Sequence, residues 1–302
     1  MSLFSLLGAL EIGLIFSLVA LGVLISFRIL NFPDLTVDGS FPMGGAVAAT
    51  LIASGHDPFM STLGGTLAGA VAGFITGWLN VRLKIMDLLA SILMMIALYS
   101  VNLRIMGKPN VPLISEPTIF SLLQPEWMPD YVFRPVLLGV VVVVVKLLVD
   151  WFFSTQIGLS LRATGANPRM ARAQGVATGA ATLAGMALSN ALVALAGALY
   201  AQTQGGADVS MGIGTIVIGL AAVIIGETVL PARRLVLTTL AAVVGAILYR
   251  FFIALALNSD FIGLQAQDLN MVTAALVVIA LVLPGVRRKV FGKLAKTTTK
   301  GN

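Results

Sequence analysis

The chain has 302 residues, of which 58% are hydrophobic and 11% are charged. Soluble domains carry about 25% charged residues, so this composition excludes a soluble fold. The net charge of +6 does not indicate nucleic-acid binding, because six basic residues cluster in the tail 285–302. The lack of cysteine excludes disulfides and thiol–metal chemistry.

Nine apolar runs follow one another, and most are long enough for a helix of about 20 residues to cross roughly 30 Å of hydrocarbon. They are Leu3–Phe27, Phe41–Ser54, Phe59–Leu79, Leu88–Met106, Phe133–Phe153, Val176–Ala201, Gly212–Val229, Leu235–Leu257 and Met271–Leu283. Lipid-exposed backbone must be helical or part of a closed barrel. We therefore predict an all-α polytopic membrane protein with about 8–10 transmembrane helices in one membrane domain, residues 1–302. The short second and last runs indicate broken or re-entrant helices.

Charge placement predicts the orientation, because basic loops stay on the cytoplasmic side. The tail 285–302 is basic, and alternation then places the other Arg- and Lys-rich loops inside with it. These loops are Val81–Lys84, Thr155–Gly175 and Pro231–Arg234, and the mildly acidic Gly107–Val132 loop falls outside. Nine crossings give an external N-terminus; if the run at Phe41 does not cross, the N-terminus lies inside, and both arrangements remain open.

Two short segments resemble each other and suggest an internal repeat. Asp38–Gly44 and Asp208–Gly212 each place an aspartate and a serine before a small-residue helix. Five predicted crossings separate the copies, an odd number, so they would run in opposite orientations. Inverted repeats with discontinuous helices are typical of transporters, with the pathway at the repeat interface.

Polar groups at membrane depth are costly and tend to mark a substrate pathway. The candidates for this pathway are Asp38, Ser40, Asn190, Gln202, Asp208 and Ser210. Helix capping is the alternative role for the aspartates and serines, since their oxygens accept bonds from free N–H groups at a helix start.

Other patterns have simpler explanations. Gly65, Gly69, Gly73 and Gly77 form a ridge at a spacing of four, which favours close helix packing within the subunit and only secondarily a dimer face. The single histidine, His56, lies in a predicted turn, so neither a metal site nor a catalytic triad is expected. The chain lacks the GxxxxGK[ST] phosphate loop. We expect no catalytic residue and no cofactor, so the chain is not an enzyme.

The segment 155–175 differs from the other loops because it is basic and helix-capable. Arg162, Arg169 and Arg172 have no acidic residue among them, and Asn167-Pro168 is typical of an N-cap and a first helical residue. We predict a short helix over Arg169–Gln174 that docks a soluble partner. An ordinary basic loop that sets topology is the alternative.

The residue pattern of this segment resembles one found in the permease subunits of ABC importers of the branched-chain amino-acid type. Those subunits carry a cytoplasmic Leu-Arg-Ala-x-Gly-x-Asn pattern followed by Ala-x-x-x-Gly. The matching residues are Leu161, Arg162, Ala163, Gly165, Asn167, Ala171 and Gly175. The similarity extends over most of the chain, including Leu30–Ser40. Within it, Leu35–Ser40 and Gly219–Glu227 look most like a bacterial branch associated with aromatic amino acids.

The resemblance implies a permease of the bacterial inner membrane that moves a small solute, an amino acid of the aromatic kind. Its partners would be a second permease copy, a periplasmic or lipid-anchored solute-binding protein and a cytoplasmic ATPase that binds the ATP. The seven matching residues would couple the permease to that ATPase. An ion-coupled secondary transporter is the alternative, and it would require Asp38, Asp208 or Glu227 to exchange protons. An intramembrane enzyme is disfavoured because His56 is the only histidine.

Overall fold

The computed structural model describes residues 3–231 and 234–257, with 275 and 278 besides. The helices are α1 (Leu3–Val23, continued by a π-helical segment Leu24–Ile29), α2 (Val37–Ala53), α3 (Pro58–Leu83), α4 (Asp87–Met106), α5 (Ile119–Leu123), α6 (Asp130–Ser154), α7 (Gln156–Ala166), α8 (Pro168–Ala173), α9 (Thr178–Thr203), α10 (Thr215–Val229) and α11 (Leu235–Leu257). Two short strands, β1 (Asn110–Pro112) and β2 (Gly206–Asp208), complete the described part. The predicted ninth run lies outside the described residues except at 275 and 278, and the basic tail lies wholly outside them.

The predicted fold class is confirmed. Six helices are long and apolar enough to cross a membrane: α1 with its π-helical segment, α3, α4, α6, α9 and α11. α2 and α10 are shorter apolar helices. The described residues therefore hold eight of the nine predicted runs as apolar helices.

α9 is the central helix of the bundle, and small residues allow its neighbours to approach it closely. A Cβ added at Gly69 would lie 2.6 Å from the backbone oxygen of Asn190, and one at Gly73 would lie 2.2 Å from that of Met186. Gly44 of α2 meets α9 in the same way, at Ala194. The glycine ridge of α3 thus packs inside the subunit, against α9 and α2.

The two ends of the bundle carry different elements. At one end, β1 and β2 pair antiparallel with Val111 opposite Ala207, and we call this end the strand face. Helices α7 and α8 lie at the other end, where Ile29 at the end of α1 contacts Gly165. The start of α1 lies at the strand face, because the ring of Phe4 packs on that of Tyr131 with centroids 4.8 Å apart. If α7 and α8 are cytoplasmic, the N-terminus is external.

One crossing is not a continuous helix. After α1 ends, residues 30–36 return into the bundle without helical structure, and α2 then runs outwards to the strand face, where Ile52 packs with Val111. α10 starts beside the first turn of α2, since Asp38 contacts its first residues, and it ends near Arg28 at the α7–α8 face. Two short helices therefore begin together inside the bundle and run in opposite directions.

The structure corrects one expectation about α2. The apolar pattern placed Asp38 and Ser40 before a helix starting at Phe41, whereas α2 begins at Val37 and contains both residues. Asp38 therefore does not cap its own helix. The physical reason is that its carboxylate bonds a different helix.

Candidate functional site

The α7–α8 segment has the local structure that the sequence predicts. Asn167 caps α8, because its Oδ1 accepts a hydrogen bond from the backbone N–H of Met170 at 3.1 Å, and Pro168 is the first residue of the helix. The helix extends over Pro168–Ala173. An additional helix, α7, precedes it, so the segment is a pair of short helices joined at Asn167.

The seven residues of the matched pattern divide into two groups. Leu161 and Ala171 are buried, and Gly165 packs so closely that an added Cβ would lie 1.8 Å from the backbone oxygen of Ile29. Arg162, Ala163, Asn167 and Gly175 are exposed, as are Arg169 and Arg172. One group fixes the segment to the bundle while the other presents a basic surface to solvent.

Two cavities flank α7 on this face. The larger measures about 490 Å³ and is bounded by Asn80, Asp87 and Arg172; the other measures about 460 Å³ and is bounded by Arg28 and Arg162. Both reach Gly165. A partner that binds this face would therefore meet recesses on either side of α7.

An ion pair joins the end of α1 to the end of α10 beside these cavities. The Nε of Arg28 lies 2.8 Å from Oε1 of Glu227. Arg28 is one residue from Ile29, which contacts Gly165. The ion pair therefore links the part of α1 that contacts α7 to the end of α10.

Asp38 holds the other end of α10 inside the bundle. Its Oδ1 accepts the N–H of Ile216 at 2.8 Å and its Oδ2 accepts that of Gly214 at 3.2 Å. These N–H groups carry the positive end of the helix dipole, which favours a carboxylate. Gly214 precedes α10 with φ +81°, a conformation that suits glycine. Asp38 thus bridges the starts of the two short helices.

A second polar cluster lies nearby and centres on Asp34, a residue that the sequence analysis missed. Asn190 of α9 donates to its Oδ2 at 2.7 Å, and the backbone N–H of Thr36 donates to its Oδ1 at 2.9 Å. The hydroxyls of Thr36 and Thr76 lie 2.9 Å apart. All four residues are buried. Asp34 stands in the Leu30–Ser40 segment, but no local pattern distinguishes it as a partner of Asn190.

The remaining pathway candidates lie elsewhere. Gln202 links α9 to α3 and α5, since it donates to the hydroxyl of Thr62 at 2.8 Å and accepts the N–H of Ile119 at 3.0 Å. Ser40 is buried, and its hydroxyl has no hydrogen-bond partner within the described residues. The structure brings Asp38 and Ser40 together in α2 but separates both from Gln202.

Asp208 and Ser210 lie at the strand face. The hydroxyl and the backbone N–H of Ser210 both donate to Asp208 Oδ1, at 2.5 and 2.8 Å. These bonds, the hydroxyl bond first, lower the pKa of the Asp208 carboxyl. The geometry is that of a turn at the bundle end, in which Asp208 hydrogen-bonds Ser210 and Asn110, whereas Asp38 bonds the start of α10.

The class of protein follows from this geometry: a multi-pass α-helical membrane protein with broken helices meeting in its interior and a basic helix pair at one end. A sequence model described as "Branched-chain amino acid transport system / permease component" matches residues 5–282. The chain belongs to this family of amino-acid transport permeases.

Two curated relatives extend the comparison. The chain is 39% identical over 274 residues to a "Tyrosine transport system permease protein" of Clostridioides difficile, covering 90% of this chain and 88% of the relative. It is 34% identical over 211 residues to an uncharacterized protein of Rickettsia prowazekii, covering 69% of this chain and 72% of that one. No solved structure matches the chain.

Proposed function

We propose that the chain is the membrane subunit of an ATP-driven importer in a bacterial inner membrane. A solute-binding protein delivers an aromatic amino acid to the strand face, and a separate ATPase docks on the α7–α8 face. A second permease copy completes the pathway. The tyrosine permease relative supports the aromatic substrate, and the family's description as a component of a transport system supports the need for partners.

The observation that carries the proposal is the construction of α7. Its exposed side offers Arg162, while Gly165 on the same helix touches the backbone of Ile29 without any intervening side chain. A force applied to α7 therefore reaches α1 directly, and the Arg28–Glu227 pair passes it to α10. In such an arrangement, a partner that binds one position of α7 more tightly shifts the bundle between packings.

A charge reversal tests the docking surface. The full-length chain is purified from membranes that also contain the products of the neighbouring genes, and co-purifying proteins are identified by mass spectrometry. We expect an ATPase to co-purify with the unaltered chain and to be lost with Arg162→Glu. Arg234→Glu is the matched control, because it reverses an exposed charge in another loop at the same end of the bundle. Retention of the ATPase by Arg162→Glu would show that α7 is not the docking surface.

A second substitution tests whether movement of α7 is transmitted to α1 through Gly165. Gly165→Val places a side chain against the Ile29 oxygen, so uptake of labelled tyrosine should fall at least tenfold while the ATPase still binds. Ala166→Val, at the exposed neighbouring position, should leave uptake nearly unchanged. Equal uptake by the two variants would contradict the route through Gly165.

The ion-coupled carrier makes a different prediction. It requires a carboxyl group free to exchange protons, whereas Asp38 is bonded to the start of α10 and Glu227 is paired with Arg28. The third candidate, Asp208, accepts two hydrogen bonds from Ser210 in a turn at the strand face. The purified chain reconstituted alone in liposomes should therefore not accumulate tyrosine in response to an ion gradient. Accumulation of tyrosine without an ATPase would contradict the importer proposal and support the ion-coupled carrier.

A further inference from the structure

A cavity of about 400 Å³ lies beside Asp38, between the first turn of α2, the half of α4 nearer the strand face, and the segment 209–213 before α10. Sites for small organic ligands commonly measure about 300–1,000 Å³ and have mainly apolar walls with a few polar groups. The walls here are mainly apolar, from Pro42, Met95, Ile96 and Ile213. Size and lining therefore suit a ligand with a large apolar group.

The polar side chains of this cavity include one carboxylate. Asp38 and Asn102 line it together with the hydroxyl-bearing Tyr99 and Ser100. Among the described residues, no Lys, Arg or His lines it. The electrostatic character of the lining is thus negative, which favours a cationic ligand group over a carboxylate.

Asn102 has an acceptor in need of a donor. The side chain is fully buried, and its Nδ2 donates to the backbone oxygen of Gly39 at 3.2 Å. Its Oδ1 is buried and has no hydrogen-bond partner among the described residues. Buried polar atoms are nearly always hydrogen-bonded, so this atom, on a residue that lines a ligand-sized cavity, points to a missing donor.

Asp38 supplies the charge. A carboxylate can accept about four hydrogen bonds, and the two bonds from Gly214 and Ile216 use one position on each oxygen. The carboxylate therefore retains capacity for a further donor. An ammonium group carries three donors and one positive charge, and it can satisfy both Asp38 and Asn102.

We propose that this cavity binds the ammonium group of an aromatic amino acid through Asp38 and Asn102, with the ring on the apolar wall of α4 beside Tyr99. The site rests on the proposed function and adds where that substrate is recognised. The bound ammonium shares Asp38 with the N–H groups of α10, so binding alters the contact that joins α2 and α10. Substrate occupancy and the position of α10 are therefore coupled.

The test compares three probes on the full-length chain in lipid nanodiscs, with binding measured by saturation-transfer NMR and equilibrium dialysis. Tyrosine carries the ammonium and the carboxylate, tyramine lacks the carboxylate, and 3-(4-hydroxyphenyl)propionate lacks the ammonium. Tyramine should bind within about tenfold of tyrosine, and the deaminated acid at least tenfold more weakly, since it leaves both acceptors without a donor. Equal binding of the deaminated acid, or binding of none of the probes, would overturn the site.

Two substitutions on α4 locate the site. Ile96→Trp fills the cavity, and Leu93→Trp adds the same bulk one turn earlier, where the side chain is exposed but does not line the cavity. Tyrosine binding should fall at least tenfold in the first variant and stay unchanged in the second. Asn102→Leu, which removes the amide acceptor, should also weaken the binding of tyramine. If the Ile96→Trp variant binds tyrosine as tightly as the Leu93→Trp variant, the site lies elsewhere.

The outcomes separate this inference from the proposed function. If Ile96→Trp leaves tyrosine uptake by the complete transporter unchanged, the cavity is rejected as the binding site and the importer proposal is retained. If the complete transporter takes up no amino acid, the proposed substrate class is itself rejected. Displacement of the probes by fatty acids, with no preference for an ammonium, would identify a groove for lipid chains and reject the site.

Discussion

Asp34 is a buried carboxylate that joins the segment 30–36 to α9. Asn190 donates to it from the middle of α9, and it is nearly inaccessible to solvent at 1% exposed. A buried charge that loses a hydrogen-bond donor retains its desolvation penalty without compensation. Asn190→Leu should therefore lower the free energy of unfolding by about 1.5–3 kcal/mol, measured by thermal unfolding in detergent. Adding Asp34→Asn to this variant removes the charge and should recover part of the loss; no recovery would contradict the role of charge.

Asp208 permits a prediction about pH at the strand face. Its pKa lies below the ordinary value of about 3.9 because Ser210 donates twice to the carboxylate. The bonds therefore stabilise the turn fully above pH 3.9, and this contribution disappears as the pH falls through the lowered pKa. The amide NMR signal of Ser210 should titrate with a midpoint below 3.9. Ser210→Ala should raise the carboxyl pKa towards 3.9, and an unchanged pKa would show that the hydroxyl bond is not its main cause.

At the scale of elements, the packing of α3 on α9 depends on the absence of side chains at the ridge. A Cβ at Gly73 would collide with the backbone oxygen of Met186, which cannot rotate away. Gly73→Ala should therefore separate the helices and cost about 1–3 kcal/mol in unfolding free energy. Gly64→Ala on the same helix meets only the ends of the Leu51 and Val47 side chains, at 3.3 and 3.8 Å, and should be nearly neutral. Thermal unfolding measures both. Helix propensity favours alanine over glycine at either position, so an equal effect of the two substitutions would show that the Met186 contact does not restrict the ridge.

The elements also show which features could be predicted from the sequence. Apolar length is a local property, and so is the Asn167-Pro168 cap; the long apolar helices and, to within one residue, the bounds of α8 were therefore predictable. The start of α2 was not, because Asp38 and Ser40 lie among polar residues that are tolerated only through contacts with distant segments. The bond between Asp38 and Ile216 joins residues 178 positions apart. Asp34 and Asn102 escaped notice for the same reason, since nothing within several residues of either indicates its partner.

For the whole molecule, the contacts form a continuous route from one end of the bundle to the cavity. α7 meets Ile29 through Gly165, Arg28 pairs with Glu227 on α10, and Asp38 binds the start of α10. Rigid helices with two arrangements can carry coupling between separated sites, but a route needs direct evidence. Among the described residues, the Arg28–Glu227 pair is the one ion pair on this route, and it is exposed, so it is the point at which the route can be interrupted without unfolding the bundle.

A charge swap at this pair supplies that evidence. Arg28→Glu and Glu227→Arg each replace attraction by repulsion, so each should reduce tyrosine uptake by the complete transporter while the ATPase still co-purifies. The effect on stability should be small, about 0–1 kcal/mol, because the Arg28 side chain is 63% exposed. The double swap restores an opposite-charge pair and should recover most of the uptake. Asp130→Lys, which disrupts the pair with Arg134 at the strand face, is the control and should leave uptake unchanged. If the double swap transports no better than the single variants, the pair is not the link between α1 and α10, and the force on α7 must reach the cavity through α9 instead.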